Sequence, residues 1–496
     1  MNQELYEFKQ YIRKFPTYNL LEMFFDESTD IYKNYNNGIR LDTVRIYNKK
    51  TGYKIGEYPF YISQWDLLEV CFYSVKYGND YRFNKIDKNE LYTILNKNRH
   101  ISEKLENVSA FEDKDLYKHL ICITNMEFDF ETLNIQSKFN RLYHIITIIN
   151  SNSNYDQTSK VCYIDLKKKF YEITKIDYYK YIKCYMLITI LATTRKNSNF
   201  MSIVKDMQFD VEKLGFAKKD IEKIISIQSK EYSFYKDFDN WNILKYNPIV
   251  HSQKYQDKYI ITNIPALLIS FSEFIYWTIR NYYNSIESRD FTTYFGHCFE
   301  YYLNDFFIEY NINAEKIDED NDKKPDWKIE TNNYIFLIEQ KAGLYPMDTR
   351  SITSNNRFDA LNSYLKNNIE KAFIQLNNYK IKSNKIIIRI CLTFEQIYMT
   401  ELVQEIVLPT ISNITDQHLN WIVPINEFEK LFIILSEDED KFNSIIEEKI
   451  RLEKNLYKNG RGFDKLLETY KNKYANEKID YFHQILNEEL EILKKL

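Results

Sequence analysis

Along most of the first half of the chain, apolar positions recur every three or four residues. Leu142, Ile145, Ile146 and Ile149 keep that period, as do Tyr181, Tyr185, Ile188 and Ala192, and it places each set on one face of a helix. Residues 1–37 and about 64–245 therefore read as helical. Between them, Val44-Arg45-Ile46-Tyr47 and Tyr53-Lys54-Ile55 flank Asn48-Lys49-Lys50-Thr51-Gly52 and read as a hairpin within 39–63. Pro248-Ile249-Val250 and Tyr259-Ile260-Ile261 read as a second, shorter hairpin. A helix over about 265–284 follows, with Leu268, Phe271, Ile275 and Ile279 near one face. The chain has only nine glycines and eight prolines, so punctuation is sparse. That favours long helices joined by Asn/Ser/Asp turns such as Asn150-Ser151-Asn152-Ser153-Asn154.

The pattern changes after Asn284 to Arg289, the best boundary signal in the chain. A helix (about 292–311) leads to a strand (313–317), an acidic turn (Asp318 to Asp322) and two strands (325–330 and 333–341). A loop (342–356), a helix (357–380), a strand (384–392) and a helix (398–407) come next. A strand at Trp421-Ile422-Val423 and a helix from Asn426 close the run. Residues 441–496 read as a charged helical tail, interrupted at Asn459-Gly460-Arg461-Gly462. Its stripe of Ile479, Phe482, Leu486, Leu490 and Leu493 is read first as packing on the chain's own core and second as a dimerisation helix. The expected architecture is α+β and multidomain: a mostly helical region with a small hairpin (1–285), an α/β core (286–440) and a helical C-terminal tail (441–496).

Composition adds bounds. A chain of 496 residues favours two or three domains over one core. Apolar residues at 44% and charged residues at 28% fit a folded chain rather than a disordered one. A net charge of −4 gives no global attraction to nucleic acid, although a local basic groove would suffice for binding. Cys71, Cys122, Cys162, Cys184, Cys298 and Cys391 are scattered without a C-x-x-C. That argues against a zinc site and for a reduced, cytoplasmic compartment. The N-terminus lacks the basic and apolar regions of a signal peptide. Tyr185 to Thr194 is too short to cross a membrane, and Ile264 to Ile279 carries Pro265 and Glu273, so both read as buried segments.

The chemistry concentrates at Pro325-Asp326, followed after twelve residues by Glu339-Gln340-Lys341. Tyr334 to Ile338, entirely apolar or aromatic, suits a strand buried on both faces. Glu339 and Lys341 then share one face, because side chains alternate along a strand. A turn at Thr331-Asn332-Asn333 would fold Asp326 back beside them. Two carboxylates and an ammonium at one point suit a hard divalent cation and the phosphodiester that it activates. Glu300, in Gly296-His297-Cys298-Phe299-Glu300, lies on the preceding helix. Gln375 and Tyr379, spaced i, i+4, follow on a later helix, with Lys371 one turn before Gln375.

This constellation resembles the PD-(D/E)xK nuclease superfamily, of restriction-endonuclease-like fold, over residues 290–440. The Q-x-x-x-Y pair resembles its RecB-like and λ-exonuclease-like branch. The resemblance implies catalytic Asp326, Glu339 and Lys341. It implies Mg²⁺, with Mn²⁺ able to substitute, held by Asp326, Glu339, the Gln340 backbone carbonyl and Glu300. Gln375, Tyr379 and Lys371 are implied phosphate contacts. Nucleic acid, DNA in preference, is the implied partner, with endonuclease favoured over exonuclease and a homo-oligomer or partner subunit left open. By analogy alone, a helical region fused to such a core points to bacterial restriction or antiphage defence, with DNA repair or mobile-element processing as the competing role. No P-loop accompanies it. Two other classes stay open: a nuclease-like binding module without catalysis, and a structural helical protein in which the motif is accidental.

Overall fold

A computed structural model describes residues 3–35, 37–47, 54–82, 84–106, 113–127, 130, 132–151, 162–194, 217–251, 259–317, 324–346, 349, 356–414, 416–454, 462–463 and 466–467. The hairpin turn at 48–52, the acidic turn at 318–322, most of the second half of the 342–356 loop and the apolar stripe at 479–493 lie outside them.

The protein is a mixed α+β chain whose described residues form three sheets. Strands β1 (Ile39–Tyr47) and β2 (Lys54–Ser63) make the expected antiparallel hairpin. Ser63 ends it and caps the Gln64–Tyr77 helix, its hydroxyl accepting from the Asp66 amide at 3.1 Å. This is the usual remedy for an orphaned first-turn N–H. Strand β3 (Ser229–Glu231) runs parallel to β4 (Ile249–His251), which pairs antiparallel with β5 (Tyr259–Ile261). The hairpin expected at 248–261 is thus one strand wider than its sequence indicates. Ser229-Lys230-Glu231 carries no apolar alternation and falls within the stretch whose spacing predicts helix. Asn263 then starts the Ile264–Ser285 helix, accepting from the Ala266 amide at 3.0 Å with Pro265 in the first turn. That helix is buried along most of its length, which explains its apolar run. Among the described residues, no helix is long and apolar enough to cross a membrane.

The third sheet has five strands, β6 (Ala314–Lys316), β7 (Trp327–Glu330), β8 (Tyr334–Lys341), β9 (Ile386–Thr393) and β10 (Asn420–Pro424), in the spatial order 10-9-8-7-6. β6, β7 and β8 form an antiparallel meander, and β9 and β10 continue in parallel. β8 is central, and alternate side chains enter two cores. Tyr334, Phe336 and Ile338 join Ile388, Ile390, Leu392, Trp421 and Val423 on one face. The Asp290–Glu309, Ile425–Glu437 and Glu439–Glu453 helices cover that face through Phe307, Phe428, Phe432 and Phe442. Ile335 and Leu337 join Cys391 and Ile422 on the other, against Phe373, Leu376 and Val403. Ile121 and Cys122 of the Asp113–Glu127 helix also pack into this second core, so helices from before residue 285 touch the sheet's own layers.

The helix expected over 357–380 divides into Arg357–Tyr364, a π-helical turn Leu365–Glu370 and Lys371–Asn378. It stops before Tyr379, which is extended (φ −78°, ψ 116°). Gln375 and Tyr379 consequently do not share a face of one helix as their spacing suggests.

Phe336 is fully buried and its ring centroid lies 5.5 Å from both Phe432 and Phe442. Phe336→Ala removes the contact between the central strand and two helices and should cost about 3–5 kcal/mol, read as a lowered midpoint in denaturant unfolding. A loss under about 1 kcal/mol would contradict the central placement of this side chain.

Candidate functional site

The C-terminal end of β8 positions the motif. Trp327 pairs with Ile338 in the β7–β8 register, and the ladder extends one step further, with the Asp326 amide donating to the Ile338 carbonyl at 2.9 Å. Asp326 Oδ2 in turn accepts from the Gln340 amide at 2.7 Å. The backbone of β8 thereby orients the Asp326 carboxylate beside Glu339. Gln340 has a second positioning bond, its side-chain Oε1 accepting from Trp327 Nε1 at 3.2 Å.

Glu339 follows Ile335 and Leu337 in the alternation and so faces the second core, with Lys341 two residues on. The Lys341 ammonium donates to Glu339 Oε1 at 2.6 Å and to Gln375 Oε1 at 3.4 Å. Gln375 arrives because Phe373 and Leu376 pack its helix onto this face of the sheet. The Glu339 side chain is only 4% exposed, and its Oε2 is buried without a hydrogen-bond partner. Burial, and then the negative charge of Asp326, push the Glu339 carboxyl up to about 8, against the pull of Lys341 and Lys316. Burial also raises Asp326, opposed by Lys316, the Gln340 amide and Lys341. For Lys341 burial acts downward, but Glu339 and Asp326 outweigh it and hold the ammonium above its usual value.

Glu300 reaches the same end of the sheet from the Asp290–Glu309 helix. Its Oε1 lies 3.0 Å from Lys316 Nζ and its Oε2 3.9 Å from His297 Nδ1. Lys316 also lies 3.8 Å from Asp326 Oδ1 and stacks on the Trp327 ring at 5.1 Å. Sequence reasoning passed over Lys316. Its signal was its place in the short strand before the motif, where register sets it opposite Trp327. Lys371, by contrast, is solvent-exposed and donates to Asn367 Oδ1 at 3.0 Å rather than to a motif residue. Tyr379 packs half-buried against the second core.

Among the described residues, no group of three or more His, Cys, Asp or Glu side chains stands ready as a metal cage. Glu300, the third carboxylate, is turned to Lys316. The donor set still fits a hard cation. Asp326 and Glu339 offer carboxylate oxygens, Glu339 Oε2 lacks a partner, and their repulsion is what a positive ion relieves.

The segment after Lys341 is tied down. The Tyr345 amide donates to Glu395, whose other oxygen lies 3.1 Å from Lys138. Lys138 also bonds Glu273 at 2.6 Å. A Cβ at Gly343 would fall 2.5 Å from Asn368 Oδ1, so the chain passes the π-helical turn at a distance that only glycine tolerates without a shift.

No protein-family model, no curated protein and no solved structure matches this chain.

The Glu339 shift has a signed consequence. An unfolded glutamate titrates near 4.5 and the folded one near 8. Between those values the folded chain keeps a proton that the unfolded chain has lost. Stability must fall as pH rises through that window. Relative to Glu339→Gln, the wild type should lose about 1 kcal/mol per pH unit between pH 5 and 8 in denaturant unfolding without divalent ions. A pH-independent difference would refute the buried carboxylate pair.

Proposed function

We propose that this protein is a divalent-metal-dependent nuclease that hydrolyses phosphodiester bonds, DNA in preference, with Asp326, Glu339 and Lys341 as its catalytic residues. The observation that carries the reading is Glu339: a buried carboxylate with one oxygen on Lys341 and the other unpartnered, beside the partly buried carboxylate of Asp326. A structural ion pair would gain from having both oxygens satisfied. A site that awaits a cation leaves one free. The five-stranded mixed sheet, with the motif at the end of its central strand and helices on both faces, supports the resemblance to the restriction-endonuclease-like fold.

Asp326 and Glu339 would hold the ion, with Glu300 as a further carboxylate once it leaves Lys316, and the Gln340 carbonyl as an added oxygen. Bound there, Mg²⁺ or Mn²⁺ would supply Lewis-acid activation of a water and of the scissile phosphate. The protein's residues do the rest. The Gln340 amide fixes the Asp326 carboxylate. Lys341, held between Glu339 and Gln375, would stabilise the charge that builds on the phosphoryl oxygens and orient the attacking water. Gln375 positions Lys341. Lys371 and Tyr379 are left out of this assignment because of where their side chains lie.

The test uses purified protein with linear duplex, circular duplex and single-stranded DNA and with RNA, each with Mg²⁺, Mn²⁺ or EDTA. Cleavage should require the metal. Asp326→Ala, Glu339→Ala and Lys341→Ala should each lower its rate by at least about 10²-fold, with circular dichroism unchanged. Metal-independent cleavage, or full activity in the Asp326 and Lys341 variants, would sink the assignment. Nucleic-acid binding with no cleavage under any condition would favour the binding-module reading.

A further inference from the structure

The proposed chemistry gives Lys316 no task. It rises from β6 on the face it shares with Trp327, and its ammonium nitrogen is shut off from solvent. There it bridges two carboxylates, with Glu300 Oε1 at 3.0 Å and Asp326 Oδ1 at 3.8 Å. Neither contact is an aligned hydrogen bond, so what holds the ammonium is charge, together with the Trp327 ring. A divalent ion shared by Asp326 and Glu300 needs the same ground between them. An ammonium is a compact point charge on a flexible stem, and its stem is partly exposed, with the side chain 31% accessible. It therefore has a route out toward solvent.

We propose that Lys316 is an internal placeholder cation: it neutralises Glu300 and Asp326 while no metal is bound, and a divalent ion must displace it to recruit Glu300. The inference rests on the metal-site reading above and adds to it a competition that sets the metal affinity. In the metal-free protein Lys316 keeps two carboxylates from repelling each other. In the loaded protein its charge opposes the ion. Removing it should therefore make the apo protein less stable and the metal complex tighter, opposite signs that a merely structural lysine would not give.

The test is Mn²⁺ binding to the full chain, read by calorimetry and by the electron paramagnetic resonance signal of free Mn²⁺. Wild type is compared with Lys316→Met, Lys316→Gln and Lys316→Arg, each with and without Asp326→Asn, and circular dichroism reports the fold. The Met and Gln variants should bind Mn²⁺ at least about tenfold more tightly, the scale of one unit charge removed from within ~4–6 Å. Lys316→Arg should bind no more tightly than wild type. Adding Glu300→Gln to Lys316→Met should cancel most of the gain. Should the Met variant fail to fold, the neutral, polar Gln variant carries the measurement. Unchanged or weaker binding in folded Lys316→Met and Lys316→Gln, with Asp326→Asn still abolishing binding, overturns the placeholder and leaves the metal site standing. Binding that ignores Asp326→Asn in every background overturns both.

Discussion

The burial of Glu339 beside Asp326 is the constraint around which this end of the molecule is arranged. A carboxylate taken out of water is costly, and a second one next to it is costlier. Two responses are open to a protein: protonate one of the pair, or surround it with positive charge. Both are visible. Burial and the charge of Asp326 push the Glu339 carboxyl up to about 8, toward the protonated form. Lys341 and Lys316 approach from the two sides of the sheet, one on Glu339 and one between Glu300 and Asp326. With all groups ionised, three carboxylates face two ammoniums and one negative charge stays uncompensated. Such a cluster is weak evidence for stability, because replacing buried charges by apolar groups often stabilises a fold. It is better evidence for a site that takes in a further positive charge.

The sheet turns this electrostatic problem into a geometry. β8 is covered on both faces as far as Ile338, and the first charged side chain appears one residue later. Alternation sends Glu339 and Lys341 to the face bearing the Lys371–Asn378 helix, which is why Gln375 rather than any residue of the Asp290–Glu309 helix meets Lys341. The antiparallel ladder with β7 then puts Asp326 at the same level. A one-residue slip in β8 would move Phe336 and Glu339 to opposite faces together. The hydrophobic register that builds the core therefore also aligns the carboxylates, and no separate device is needed for either.

These strands were readable because a strand buried on both faces is written as a nearly continuous apolar run, unbroken in Tyr334 to Ile338 and interrupted only by Arg389 in Ile386 to Leu392. The turn at Thr331 to Asn333 supplied the pairing, and the approach of Asp326 to Glu339 followed from it. Gln375 was placed by helical spacing alone. Tyr379 was not, since the helix ends one residue earlier and its ring goes to the core. Lys371 lies one turn before Gln375 at the start of the same helix, but it is exposed and its ammonium donates back to Asn367. Lys316 escaped notice because its partners, Glu300 and Asp326, are respectively sixteen and ten residues away, and no local period links them. β3 escaped because its three residues are polar and gain their strand conformation only from β4.

Anchoring of the site reaches into the helices that precede residue 285. Glu395, just past the end of β9, accepts from the Tyr345 amide, which fixes the chain four residues beyond Lys341. Glu395 is itself buried, and its counter-charge is Lys138 of the Thr132–Thr147 helix, shared with Glu273 of the Ile264–Ser285 helix. Trp277 Nε1 donates to the second oxygen of Glu273 at 2.7 Å. Moving Lys138 away would leave two buried carboxylates facing each other, a loss of the kind that breaking one partner of a buried pair incurs, about 3–5 kcal/mol. The Thr132–Thr147 helix is held on the sheet further along by Arg141, whose Nη1 lies 2.9 Å from Glu429. Its position is thus set at two points by charges that the sheet's own helices and loops bury. The loop after Lys341 therefore takes its position from a helix some two hundred residues earlier in the chain, and the helical region is part of what holds the site in place.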